Sequence, residues 1–268
     1  MTRIVPRRRP WLWLASAVVV VLAAAVAVSI FRNPGIDHAA IVQHQFAPAI
    51  LHGLRTTVIL ALLAGAVGVV LGTLLAVMRL STSAILRVAS FGYTWLFRGT
   101  PLLVQILIWG NLALLFTTLG PFDTNAVMTP FVASVVALGL NEAAYMGEIV
   151  RAGILAVDRG QHDAAVALGM SRALAMRRII LPQALRVIIP PAGNQFISLL
   201  KATSLVSVIA GGDLLTAAEN ISSANLRTIE LMLVATFWYL VLTSVASAGQ
   251  YWLERRVART GTLAHAAR

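Results

Sequence analysis

Long apolar blocks separated by short polar ones organise this chain. The apolar runs fall at roughly residues 11–31, 53–78, 101–118, 131–150, 187–210 and 229–253. Each is close to or beyond the about 20 residues that a helix needs to cross hydrocarbon. The predicted fold class is therefore all-α, a polytopic membrane helix bundle of about six spans. Composition agrees: 59% of residues are hydrophobic and 12% charged, with a mean hydropathy of +0.83. That is too apolar for an ordinary soluble domain.

Charge adds an orientation. Arg3, Arg7, Arg8 and Arg9, then Arg79, Arg87 and Arg98, then Arg151, Arg159, Arg172, Arg177, Arg178 and Arg186, and finally Arg255, Arg256, Arg259 and Arg268 fall on one side of such a bundle. The alternate loops hold only Arg32, Arg55 and Arg227, and Lys201 lies inside a span. Basic loops stay in the cytoplasm, so both termini are expected there. The run from Trp11 to Phe31 follows three arginines and contains Ala25-Val26-Ala27, small residues suited to signal cleavage. Its length exceeds a usual signal core, which favours a retained anchor. The net charge of +11 thus reads as topology and contact with anionic membrane lipids rather than nucleic acid. The chain has no cysteine, and its five histidines are scattered without an HExxH pair, so neither thiol chemistry nor a metal site is expected.

Within the spans a few residues stand out. Gly68 and Gly72 have the four-residue spacing that lets another helix approach closely. In the stretch FRGTPLLVQ, Phe97 to Gln105, Gly99 and Pro101 break the helix, because proline lacks a donor and disfavours helix before it. Broken backbone at membrane depth survives only against protein or water. Arg98, Gly99, Thr100 and Pro101 therefore mark either an interfacial helix start or the wall of a pathway. Glu142 and Glu148 lie in or near a span and do not share a helical face. Glu148 precedes Arg151 by three residues, which predicts a local ion pair. Lys201, the only lysine, either pairs with a carboxylate, snorkels, or gates a pathway. Thr203, Ser204 and Ser207 beside it are positioned to bond across helices.

The segment 158–182 is the odd one out, polar and arginine-bearing between two apolar runs. Asp158 is placed to cap a short helix that Gly169 closes in a left-handed conformation. Ser171 is placed to cap a second, which Pro182 is expected to stop. The result is a bent cytoplasmic projection, suited to lie on lipid or to serve as a knob for a soluble partner.

That segment carries a resemblance. Asp163-Ala164-Ala165, three residues, Gly169, nine residues, Ile179, one residue and Leu181-Pro182 resemble the EAA loop of binding-protein-dependent ABC importer permeases at every spacing. The flanks are similar to the polar amino-acid permeases: Arg98-Gly99-Thr100-Pro101-Leu102, Tyr145, Glu148-Ile149, Arg151, Gly160-Gln161, Pro182-Gln183-Ala184, Lys201 and Thr203-Ser204-Leu205. Asp163 stands where that family usually has Glu, and Ala202 replaces an acid common between the lysine and the threonine.

The resemblance implies a type I importer core of about five helices over residues 49–252. An arm, anchor and connector would precede it over 1–48, and a basic tail would follow over 253–268. It implies a bacterial inner-membrane permease for polar amino acids. Asp163, Ala164, Ala165, Gly169, Ile179, Leu181 and Pro182 would couple it to separate ATPase subunits, and Arg98 to Pro101, Glu148, Lys201, Thr203 and Ser204 would line or gate the path. No GxxxxGKS/T phosphate loop occurs, so the chain itself is not expected to be an enzyme or to bind a cofactor; ATP and magnesium belong to the partner. An external substrate-binding protein and a second permease copy or paralogue complete the implied assembly. The alternative is a secondary carrier or channel that uses Glu142 and Glu148 for ion coupling; a membrane-embedded enzyme lacks any Ser/His/Asp or metal constellation.

Overall fold

The computed structural model describes residues 10–265, and nearly all of them are helical. α1 (Pro10–Phe31) and the short α2 (His38–Gln45) precede the long α3 (Pro48–Leu80). α4 (Ala84–Gly99) and α5 (Leu102–Gly110) lead through a small antiparallel hairpin, β1 (Thr118–Leu119) and β2 (Phe122–Asp123), and α6 (Thr124–Val127) to α7 (Pro130–Leu155). Next come α8 (Arg159–Ala167), α9 (Arg172–Ala175), α10 (Leu181–Ala202), α11 (Leu214–Asn225) and α12 (Thr228–His265). Chemistry at the boundaries matches the sequence: Pro48 and Pro130 occupy first turns, where a missing amide costs nothing. Asp37, Asp123, Asp158, Ser171 and Asp213 cap the helices that follow them.

The centre of the fold is the crossing of α3 and α7. In lipid the hydrophobic effect does not press helices together, so close backbone approach and dispersion must. A Cβ added to Gly68 would lie 2.4 Å from Glu142 Cγ, and one added to Gly72 would lie 2.9 Å from both the Ala143 carbonyl and the Gly147 amide. From the other side, a Cβ on Gly139 would meet Val67 at 2.8 Å. The close approach read from the glycine spacing is therefore real, and its partner is the carboxylate-bearing stretch of α7. Around the crossing Leu60, Ala64, Ile106, Ala137, Leu138, Leu199 and Val206 form one buried cluster.

A second cluster, Ile50, Leu214, Ala218, Leu231, Val234 and Ala235, joins α11 and α12 to the start of α3. The short α2 is clasped against α12: Trp238 Nε1 donates to the Gln45 carbonyl at 2.8 Å, and the Asp37 amide donates to Glu230 Oε1 at 3.0 Å. Asp37 is also ion-paired with Arg227. The Ala40 amide, aided by that guanidinium, holds the Asp37 carboxyl below its ordinary value.

Two expectations about the spans change. Among the described residues, Pro48–Leu80 and Thr228–Val257 are long and apolar enough to cross a membrane unaided, and a third span arises if Arg172–Ile209 and Leu214–Asn225, bent by 43°, count as one. The run read as an N-terminal anchor is helical, as α1. The block at 101–118 is not one helix: it holds only the nine residues of α5 and a 3-10 turn. α4 and α5 are separated by a break at Thr100 and Pro101, where Thr100 is extended because a proline disfavours helix in the residue before it.

Gly72→Ala is expected to destabilise the detergent-solubilised protein by about 1–3 kcal/mol through overpacking, read as a lowered thermal midpoint. Gly92→Ala, on α4 with nothing within 4 Å of the new Cβ, is the matched control and is expected to leave the midpoint unchanged or slightly raised.

Candidate functional site

The helix break is sealed by side chains that the sequence reading did not single out. With Thr100 extended, the carbonyls ahead of Pro101 lose their helical donors. Gln105, buried one turn later, supplies them: its Nε2 donates to Phe97 O at 2.9 Å, Thr100 O at 3.2 Å and Thr100 Oγ1 at 2.8 Å. Asn141 on α7 adds Nδ2 donations to Phe97 O at 3.0 Å and to Gln105 Oε1 at 3.2 Å. The network fixes α4, α5 and α7 to one another and leaves the broken backbone facing a cavity.

That cavity, about 550 Å³, lies between the break, α7 and α10. Arg98, Gly99, Thr100 and Pro101 line one wall, Asn141, Glu142 and Tyr145 a second, and Gln195, Ser198 and Leu199 a third. The pathway-wall reading of the break thus has a cavity to line. Two further cavities, of about 710 and 440 Å³, share Arg98 and Tyr145 with it, so the three adjoin in a run. Arg98 sits over the Tyr145 ring, 5.2 Å from its centroid, a cation–π contact. Glu142 is 3% exposed and accepts one hydrogen bond, from Gln195 Nε2 at 2.9 Å.

The other predicted pathway residues are distributed differently. Glu148 lines the adjoining cavities and forms the expected local ion pair with Arg151 at 2.7 Å. Lys201, Thr203 and Ser204 do not line the run of cavities. Lys201 is exposed in the last turn of α10 and makes no ion pair among the described residues. The Thr203 and Ser204 hydroxyls donate back to their own chain, to Leu200 O at 2.7 Å and Lys201 O at 2.8 Å. Ser207 does bond across elements, to Glu219 Oε1 at 3.4 Å. The overlooked residues Gln105, Asn141 and Gln195 carried a usable signal, since isolated amides in apolar runs need partners.

The segment 158–182 forms a bent projection. Asp158 Oδ1 accepts from the Gly160 amide at 2.6 Å, and Ser171 Oγ from the Leu174 amide at 3.3 Å. Between them Gly169 has φ +72°, with its amide donating to Val166 O at 2.9 Å and the Met170 amide to Ala165 O at 3.0 Å. This is a Schellman C-cap, and its left-handed residue is the reason for glycine. Ala165, Ala175 and Ile180 are buried beneath the projection, whereas Asp163 and Ala164 are exposed and Leu168 is 79% exposed.

Pro182 does not stop the second helix. It lies in the first turn of α10, and the chain continues helically from Arg172 to Ala202. A π turn over Met176–Ile180, in which the Leu181 amide reaches Met176 O, absorbs the missing donor and the proline ring. Gln183 then ties the two arms, donating to Ile179 O at 2.9 Å and to Gln161 Oε1 at 3.3 Å.

A cavity at a broken span and a small-residue core beside an exposed, glycine-hinged projection invite comparison with known proteins. Residues 68–259 match the family described as binding-protein-dependent transport system inner membrane component. The chain belongs to that family. Among curated members, the arginine transport system permease protein ArgU of Corynebacterium glutamicum is 41% identical over 263 residues, which is 96% of this chain and 83% of that one. The L-cystine transport system permease protein TcyB of Bacillus subtilis is 39% identical over 220 residues, 82% of this chain and 91% of that protein. A solved amino acid ABC transporter, crystallised with histidines, superposes with a TM-score of 0.73 at 39% identity, covering 82% of this chain and 99% of that one. The family assignment makes the chain a type I importer-like helical membrane bundle and an inner membrane component.

Gln105→Leu is expected to lower stability by about 1–3 kcal/mol, because it takes the side-chain donor from the Thr100 carbonyl and leaves the Phe97 carbonyl with Asn141 alone. Thermal unfolding in detergent, compared with wild type, measures the loss.

Proposed function

We propose that this chain is the permease subunit of an ABC importer for polar amino acids, driven by a separate ATPase. The single observation that carries the reading is the family match together with the projection at 158–182, whose exposed face is built on a Schellman turn and a π turn. The amino-acid class rests on relatives that carry arginine and L-cystine transport in their names.

In this reading Asp163, Ala164 and Leu168 present the contact surface to an ATPase subunit, and Ala165, Gly169, Ile179, Leu181 and Pro182 hold its shape. ATP and magnesium bind to that partner, and closure around ATP pushes the projection. α10 runs on from it without a stop, so a push on the projection is delivered directly to the cavity wall bearing Gln195 and Ser198. The cavity run is one half of the translocation path and a second permease copy or paralogue supplies the other. A substrate-binding protein delivers the amino acid from outside, both termini face the cytoplasm, and the arginines near Glu148 lie at the inner mouth. Lys201, Thr203 and Ser204 serve packing and helix termination at the far end of α10 rather than the path.

Two measurements test the proposal. Co-expression with its ATPase and binding protein is expected to give a complex whose ATP hydrolysis is stimulated by the loaded binding protein. Uptake by this chain alone, driven by a proton or sodium gradient, would overturn the importer reading. In that complex Gly169→Pro is expected to insert normally yet lose transport by about tenfold or more, with ATP hydrolysis no longer answering to substrate. Unchanged substrate-stimulated transport in the variant would remove the coupling role.

A further inference from the structure

The turn from α3 to α4 carries two arginines and no acid. Residues 38–122 contain neither Asp nor Glu, so Arg79 and Arg87 have no carboxylate along their own stretch of chain. Across the fold, the carboxylate that shares a cavity wall with Arg79 is Glu148, and it is bonded to Arg151. The two guanidinium groups are nevertheless fixed in place. Arg87 Nη1 donates to Ser81 O at 3.2 Å and Thr82 O at 3.0 Å, and Arg79 Nη1 donates to Arg87 O at 3.1 Å. Arg79 also lies over the Phe91 ring, 4.6 Å from its centroid. Among the described residues the donors on Nε and Nη2 of both arginines meet no acceptor. Two like charges held close together, with donors to spare and no acid beside them, favour an anion with several oxygens.

Beside these arginines the amphipathic pattern of α4 is reversed. Its polar Ser90 and Thr94 are buried, with Ser90 Oγ donating to Leu75 O of α3 at 2.8 Å, whereas Ile85, Val88, Phe91 and Trp95 are exposed. Val88, Phe91 and Trp95 follow one another at helical spacing, and Phe91 lies four residues after Arg87, so the apolar strip starts at the guanidinium groups. An outward apolar strip with aromatic residues suits acyl chains and the membrane interface rather than water. Arg79 lies in the last turn of a helix long and apolar enough to cross the membrane, which puts the turn at a membrane surface. The basic-loop bias favours the cytoplasmic leaflet. A free phosphate would satisfy the arginines and leave the strip bare; a phospholipid meets both.

We propose that Arg79 and Arg87 bind the phosphate of an anionic phospholipid of the cytoplasmic leaflet, whose acyl chains lie along Val88, Phe91 and Trp95. The site is separate from the cavity at the helix break and does not depend on which solute the permease carries.

The test uses the permease co-purified with its ATPase, in nanodiscs of phosphatidylcholine alone or mixed with phosphatidylglycerol. A ligand that binds only the folded protein raises its thermal midpoint, so phosphatidylglycerol is expected to raise the wild-type midpoint. Native mass spectrometry is expected to show an anionic lipid retained on each permease copy. Arg79→Gln and Arg87→Gln are each expected to weaken phosphatidylglycerol binding by about fivefold, and the double variant is expected to lose the midpoint difference between the two lipids. Removing the same charge at the end of α12, with Arg255→Gln and Arg256→Gln together, is expected to leave that difference in place. If the double variant lowers both midpoints equally and keeps the difference, the arginines only brace the turn and the site is wrong. An equal loss in the α12 variant means diffuse surface charge, and also overturns it. So does inorganic phosphate reproducing the midpoint rise in phosphatidylcholine, which would make the ligand a soluble anion. Loss of the ATPase from the double variant during purification would make the turn a protein contact instead, and the lipid site would fall.

Discussion

The close crossing of α3 and α7 is the constraint on which the rest depends. Lipid is as apolar as leucine, so these helices gain nothing by hiding apolar surface from it; they gain by packing backbone against backbone. Gly68, Gly72, Gly139 and Gly147 make that contact possible. The same contact fixes where α7 presents its polar residues. Asn141 reaches the broken end of α4, and the Glu142 stem lies directly against α3, where no side chain intervenes at Gly68.

The break at Thr100 and Pro101 is the second requirement, and it is affordable only with its seal. Open backbone at this depth would strand carbonyls at a cost of several kcal/mol each. Gln105 and Asn141 meet that cost locally, and what remains is a polar notch with a defined shape. A pathway wall needs backbone that is irregular but rigid, and this arrangement gives both. The continuous helical run from Arg172 to Ala202 links this notch mechanically to the exposed projection, with the π turn taking up the local misfit of Pro182.

Much of this was legible in the chain itself. Hydrophobic block length gave the membrane class, the extent of α3 to within five residues at either end and the start of α12, but not its end, because the apolar run stops at 253 while the helix continues to His265. The caps at Asp158 and Ser171, the left-handed Gly169 and the ion pair of Glu148 with Arg151 were also readable, since each is a local interaction over four residues or fewer. Pro182 misled because a proline reads equally as a stop or as a first-turn residue, and only the π turn before it decides which.

By itself, the sequence determined what depends on short range and on solvent: an all-α membrane bundle, the caps at Asp158 and Ser171, and a spacing pattern that resembles one family of permeases. Tertiary structure alone decided which distant residues meet. Gln105 and Asn141 are 36 residues apart, and Gln195 lies 53 from Glu142, so no local pattern could pair them. It also separated Arg98 and Glu142, which face one cavity, from Lys201, Thr203 and Ser204, which do not. The physical reason is that helix periodicity sets the face on which a residue lies, whereas the neighbour across that face is set by how the helices pack.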